Sequence, residues 1–209
     1  MYNRSMPTAA RRTQSERRAE TERRLIDAAM RLVATGGVRA VTLAAVGAEA
    51  GYSRGIVSHH FGSRQALMDA VARAVQRRFA PRHVNGTGLE RILGLVDAYL
   101  ADLAERDLDA RVFLVLWTEA ISSDEDLREV FADRDTAFRQ GWEDAIRAGV
   151  ADGSIRRDAD PAAAAVALAG LTRGAGLQRL LTPEAVDLDA VRAEVGRMLR
   201  AGLRPGAAG

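Results

Sequence analysis

The sequence predicts an all-α protein of about nine helices, with an amino-terminal three-helix head in a helix-turn-helix pattern joined to a larger helical bundle. Three observations predict it. Apolar residues recur at three-four spacing along most of the chain, no segment alternates with period two for long enough to make a strand, and the breaks carry helix punctuation. That punctuation is a capping hydroxyl or carboxylate at Thr42, Ser53, Ser63 and Asp160, and glycine or proline at Gly36-Gly37, Gly51, Pro81 and Pro183.

Residues 1–15 are polar and Arg-rich and are expected to form a flexible basic arm. In the first helix, 16–35, Leu25, Ile26, Ala29, Leu32 and Val33 share a face, and Gly36-Gly37 stops it. Thr42 caps a short helix that turns Leu43 and Val46 inward. Gly51 makes the turn, because glycine tolerates the left-handed backbone that ends one helix and lets the next cross steeply; small Gly47 and Ala48 allow close approach. Ser53 caps the following helix, whose Val57 faces inward and leaves Arg54, Gly55, Ser58 and His59 outside, where base edges and phosphates are read. Ser63 opens a fourth helix over 63–80, with Leu67, Val71, Val75 and Phe79 on one face and Pro81 as its end.

The stretch Val84-Asn85-Gly86-Thr87-Gly88 reads as a linker, dividing a DNA-binding domain, 1–80, from a ligand-binding and dimerisation domain, 81–209. Five longer helices follow, at 89–106, 108–122, 124–151, 161–181 and 187–202. Asp160-Pro161 starts the fourth of them, a cap followed by proline in the first turn, and Thr182-Pro183 closes it.

Charge is segregated along the chain. Residues 1–83 carry 15 Arg against 6 acidic side chains, a balance of +9, whereas residues 84–209 carry 15 Arg against 22, a balance of −7. A near-neutral total therefore hides a basic head on an acidic body, and the basic part holds the helix-turn-helix pattern. Cysteine is absent, which excludes disulfides, thiolate chemistry and Cys-ligated metals. The polar start has no apolar stretch of a signal peptide, and no apolar run approaches a membrane span, so a cytoplasmic protein with no membrane partner is expected. No Glu-x-x-His pair or phosphate-binding glycine loop occurs, and His59, His60 and His83 all fall in or beside the basic part. The reading is accordingly no enzyme, no cofactor and no metal.

The segment from Thr42 to Leu67, and above all Gly55-Ile56-Val57-Ser58-His59-His60-Phe61, resembles the DNA-reading block of the TetR family of transcriptional repressors, in its BetI-like, choline-responsive subgroup. Trp117-Thr118-Glu119-Ala120, Gly153-Ser154-Ile155, Asp160-Pro161 and Leu177 through Glu184 are similar to that subgroup as well. The resemblance implies that Thr42, Tyr52, His59 and His60 sit at or near phosphates, beside the cap Ser53. Arg64 takes the place of a phosphate-contacting lysine, and Arg54, Gly55 and Ser58 lie closest to base edges. His60 is either such a contact or a packing residue beside Phe61. Two departures stand out: Gly47 where alanine is usual, a small loss of helix propensity, and Ser58 where tyrosine is common.

The resemblance also implies a homodimer, built by the last two helices. Val166, Gly170, Gly174 and Leu181 line one side of the 161–181 helix, and Val191, Val195 and Met198 recur in the last one, a stripe that serves an interface or the core. Tyr99, Phe113, Trp117, Phe138 and Trp142 are five of the ten aromatic residues and lie in the middle helices, where they line a ligand cavity or fill a core. With Glu119, Arg173 and Leu177 they form the candidate site for a small-molecule effector. Trp117 and Tyr99 with Glu119 suit a cation, while Arg173, where an acidic residue is frequent, favours an acidic or neutral ligand equally. The expected function is a transcriptional regulator released from a palindromic double-stranded DNA operator by an effector; the alternative is a ligand-independent helical DNA-binding or scaffold protein.

Overall fold

The computed structural model describes residues 13–78, 83–122 and 125–206. Most of the proposed basic arm, together with Phe79 and Pro81, lies outside the described residues. Among the described residues the fold is all-helical, with nine α-helices. Four build the head: α1 (Gln14–Gly36), α2 (Leu43–Ala50), α3 (Arg54–Phe61) and α4 (Arg64–Arg78); five build the body: α5 (Gly88–Glu105), α6 (Asp107–Ser122), α7 (Glu125–Asp152), α8 (Pro161–Leu181) and α9 (Leu188–Leu203).

The starts follow from local chemistry. Thr13 and Glu16 cap each other across the first turn of α1, so the helix begins two residues earlier than its apolar face suggests. Thr87 and Glu90 repeat that box on α5. Asp160 and Asp187 accept the first free N–H groups of α8 and α9. Between α1 and α2 the chain makes a short 3-10 turn, Val38–Ala40, that apolar spacing does not reveal.

Head and body share one continuous core. Leu25, Ala28, Met30, Val33, Val46, Val57, Leu67 and Val71 close the head, while Ile92, Leu100, Val112, Leu116, Trp142 and Ile146 close the body. Helix α4 touches both, packing on α1 and α3 on one side and on α6 and α7 on the other. At its last turn Arg78 binds Asp27 of α1, at 3.1 Å, and Asp109 of α6. Burial works against that guanidinium's charge, but the two carboxylates outweigh it and raise its pKa.

Within the body, α5 and α7 cross at two glycines. A Cβ placed on Gly88 would lie 2.0 Å from the Gly149 nitrogen, so this crossing admits no side chain there. The end of α7 also caps α5: the Gly88 N–H donates to Asp152 and the Leu89 N–H to Ser154. Helix α9 lies on α5 with Leu188, Val195 and Leu203 buried, fastened by a bidentate Arg192–Asp97 pair with both contacts at 3.0 Å. Among the described residues no helix is long and apolar enough to cross a membrane.

Candidate nucleic-acid interface and effector cavities

The head presents α3 on a rigid mount. Gly51 adopts φ 75° and ψ 29°, ending α2, and the next N–H, that of Tyr52, closes the turn on the Gly47 carbonyl at 2.8 Å. The Thr42 and Ser53 hydroxyls accept from Ala45 and Ile56 and start the two helices, as their spacing predicts. Gly47 has a stronger reason than helix propensity. A Cβ there would sit 2.8 Å from the Tyr52 carbonyl oxygen and 3.2 Å from the Arg54 nitrogen, so α2 approaches the start of α3 backbone to backbone.

Val57 is fully buried, and Arg54, Gly55, Ser58 and His59 stand on the exposed side of α3. Thr42 and Ser53 are exposed as well, and Tyr52 is half-buried. His60 is half-buried, its ring 6.3 Å from that of Phe61, which is the packing alternative rather than a free outward position. Ile56, which the sequence reading does not single out, is 39 % exposed on the same short helix. Its signal was a large apolar side chain beside the buried position.

Arg64 has backbone partners that the sequence reading does not foresee. Its Nε donates to the Val41 carbonyl at 2.7 Å and an Nη to the Val38 carbonyl at 2.8 Å. The guanidinium thus clamps the 3-10 turn to the start of α4, and only its remaining donors are left for a phosphate.

The expected interface stripe divides in two. Val166, Leu181 and Met198 are exposed, Leu181 by 77 %, and Gly170 and Gly174 have open space where a Cβ would be. Val195 is buried within its own chain against α5, and Val191 is half-buried against the same core, so Val195 is withdrawn as an interface residue. A helical repeat identifies an apolar face without saying whose core it enters.

The aromatic cluster is filled rather than hollow. Phe138 stacks 4.5 Å from Trp142 and 5.3 Å from Tyr99, and only about 10 Å³ remains among Tyr99, Phe113, Arg134, Phe138 and Arg173. Trp142 is core, and Leu177, half-buried, lines none of the cavities described here. Burial pushes the Tyr99 phenol up to about 12, against the opposing charge and hydrogen bond of Arg173. Arg173 itself is 6 % exposed, ion-paired with Asp135 of α7, with its guanidinium carbon 5.0 Å from the Trp117 ring centroid and 5.3 Å from that of Phe138. Asp135, which the sequence reading missed, therefore supplies a carboxylate to this cation site.

The open volume lies on either side. A cavity of about 740 Å³ separates α4 from α7, lined by Gln65, Asp69, Arg73, Gln76, Arg134 and Phe138 among others. Gln76 is buried there with no partner for its amide nitrogen among the described residues. Arg134, whose charge burial disfavours, donates to the Gln76 carbonyl and so ties α7 to α4. A second cavity, about 510 Å³, opens between α6 and α7 at Trp117, Ile121, Phe131 and Asp135.

A helix-turn-helix with an exposed second helix, carried on a larger helical body with cavities, defines a DNA-binding transcriptional regulator of the effector-responsive class. Residues 25–71 match the tetR family of bacterial regulatory proteins, and residues 88–204 match the BetI-type transcriptional repressor C-terminal family. The chain belongs to the TetR family, with a BetI-type C-terminal domain. It is similar to the transcriptional repressor KstR2 of Rhodococcus jostii, 32 % identical over 145 residues that cover 65 % of this chain and 68 % of that protein. It is also similar to the regulator BetI of Burkholderia ambifaria, 32 % identical over 106 residues covering 46 % of this chain and 53 % of BetI, about half its length. A regulator from Saccharomonospora viridis solved in complex with choline superposes with a TM-score of 0.78 at 26 % identity, over 90 % of this chain and 100 % of that one.

Proposed function

We propose that the protein acts in the cytoplasm as a homodimeric repressor that grips a palindromic operator through α3 of each head and releases it when a small molecule enters the body. One observation carries the reading: Arg54, Gly55, Ser58 and His59 are all exposed on a helix pinned from behind by fully buried Val57, inside a stretch of net charge +9. Arg54 and Ser58 read base edges, and exposed Ile56 meets a thymine methyl group. Thr42, Tyr52, Ser53, His59 and the remaining donors of Arg64 lie along the phosphates, and the Gly55 position lets the DNA approach closely.

Two heads need a two-fold body to meet half-sites about one helical turn apart. The exposed Val166, Leu181 and Met198, with open Gly170 and Gly174, suit the self-complementary face of a dimer. The division at about residue 80 separates the two tasks, and α4 connects them. An effector in the cavity between α4 and α7 would supply an acceptor to Gln76 and displace α4 against α7. The heads sit on α4, so their separation changes with it; coupling of this kind is typically about 1–3 kcal/mol, or 5- to 150-fold in operator affinity.

The test is to select bound fragments from genomic DNA, derive the operator, and titrate candidate compounds by tryptophan fluorescence with and without operator duplex. An effector should bind more weakly when operator is saturating, by the same factor as it weakens DNA binding. If every compound that binds the body leaves operator affinity unchanged, the release mechanism is wrong.

A further inference from the structure

We infer that Arg173 occupies, from within the chain, the place of a cationic ligand in an aromatic cage, and thereby closes this site to quaternary ammonium effectors. A quaternary ammonium needs aromatic faces, a counter-carboxylate and exclusion from water. The body provides all three, in the rings of Trp117 and Phe138 at 5.0 and 5.3 Å, the Asp135 carboxylate, and burial that leaves the occupant 6 % exposed. The occupant is the chain's own guanidinium, and the void left beside it is about 10 Å³, too small for any ligand. Free cations meet a competitor whose binding costs no translational freedom.

The hydrogen-bond inventory supports a site made for a cation without donors. A guanidinium presents five N–H groups, and the Nε of Arg173 is buried with no acceptor among the described residues. A tetraalkylammonium ion has no N–H group and would leave no buried donor unmatched. Arg173 is therefore a specificity-determining residue, and it rests on the reading above that the middle helices hold the effector. Effectors of this chain use the open cavities on either side of the filled cage.

The experiment compares the full-length wild type with Arg173→Ala, titrating each with tetramethylammonium chloride and with methylguanidinium chloride against sodium chloride at equal ionic strength. Tryptophan fluorescence and the thermal midpoint are read. Arg173→Ala should bind tetramethylammonium saturably, at least about tenfold tighter than wild type, with a rise in its midpoint; wild type should show neither change. Arg173→Gln, which refills the cage with a neutral chain, and Arg173→Ala/Asp135→Asn, which removes the counter-charge, should both lose that binding. If Arg173→Ala is unfolded in sodium chloride, either organic cation must restore its folded signal. Binding by wild type as tight as by Arg173→Ala, a folded Arg173→Ala that binds neither ion, or an unfolded one that neither ion restores would each overturn the inference. No DNA enters this assay, so its failure leaves the operator-release reading intact, and failure of the operator titration leaves this result intact.

Discussion

Helices α1–α4 and helices α5–α9 bury different kinds of group. The head interior is aliphatic apart from Gln76 near the end of α4, with Leu25, Met30, Val46, Val57 and Leu67 at zero exposure, and its polar side chains at α3 face outward. The body interior holds Asp102, Thr172 and Arg173, together with largely buried Asp135. An aliphatic core has one good packing and keeps a reading surface fixed. Buried ionic and amide groups have alternative partners, and a ligand can be one of them. The difference matches a rigid reader joined to a responsive sensor.

The sharpest way to break the contrast is Asp135→Ala, which strands the Arg173 charge inside the body and should cost about 3–5 kcal/mol by chemical denaturation. Replacing the pair by Leu and Met together should recover most of that loss. The head contains no substitution of this kind, because it buries no ion pair of its own among the described residues.

Alkaline titration comes next. The unfolded Tyr99 phenol ionises near 10 and the folded one only near 12, so over that interval the unfolded state has shed its proton while the native state has not. Stability should therefore fall as pH rises from 10 to 12, by about 2 kcal/mol at roughly 1.4 kcal/mol per unit. Tyr99→Phe should lose this slope, and below pH 10 the contribution is constant.

In the head the largest effects should come from backbone fit rather than charge. Gly47→Ala puts a methyl 2.8 Å from the Tyr52 carbonyl and should cost about 1–3 kcal/mol. A pure propensity effect would instead make the alanine variant more stable, by up to about 1 kcal/mol. Arg64→Ala removes two hydrogen bonds to the Val38 and Val41 carbonyls and should cost a similar amount of stability, about 1–3 kcal/mol. If its thermal midpoint matches wild type while DNA binding falls, Arg64 is a phosphate contact and no clamp.

The sequence made the head more legible than the body, and the reason is range. Thr42, Ser53 and Asp160 act on N–H groups two or three residues away, and Gly51 acts on its own backbone, so their roles are written locally. The partners of the two arginines were not legible because charge is visible in sequence and partner is not: Arg64 reaches back 26 residues to Val38, and Arg173 on α8 reaches Asp135 on α7. The cavity between α4 and α7 unites residues from Gln65 to Phe138, which no spacing brings together. Val195 failed differently, since the face it shares with Val191 and Met198 splits between α5 and solvent only once α9 is docked.

The smallest expected effect on stability, Arg54→Ala, should have the most informative effect on DNA, and it tests the central claim most directly. The measurement is fluorescence anisotropy of wild type and Arg54→Ala on operator and base-substituted duplexes across a salt series, with thermal midpoints recorded in parallel. The account predicts stabilities within about 0.5 kcal/mol of each other for this exposed side chain. It also predicts wild-type affinity falling linearly on a log-log salt plot, and a loss in the variant of about 1–3 kcal/mol confined to one base position in each half-site. Wild type that binds no duplex at low salt, or an Arg54→Ala loss equal on every sequence, would contradict the assignment of α3 as the reading helix.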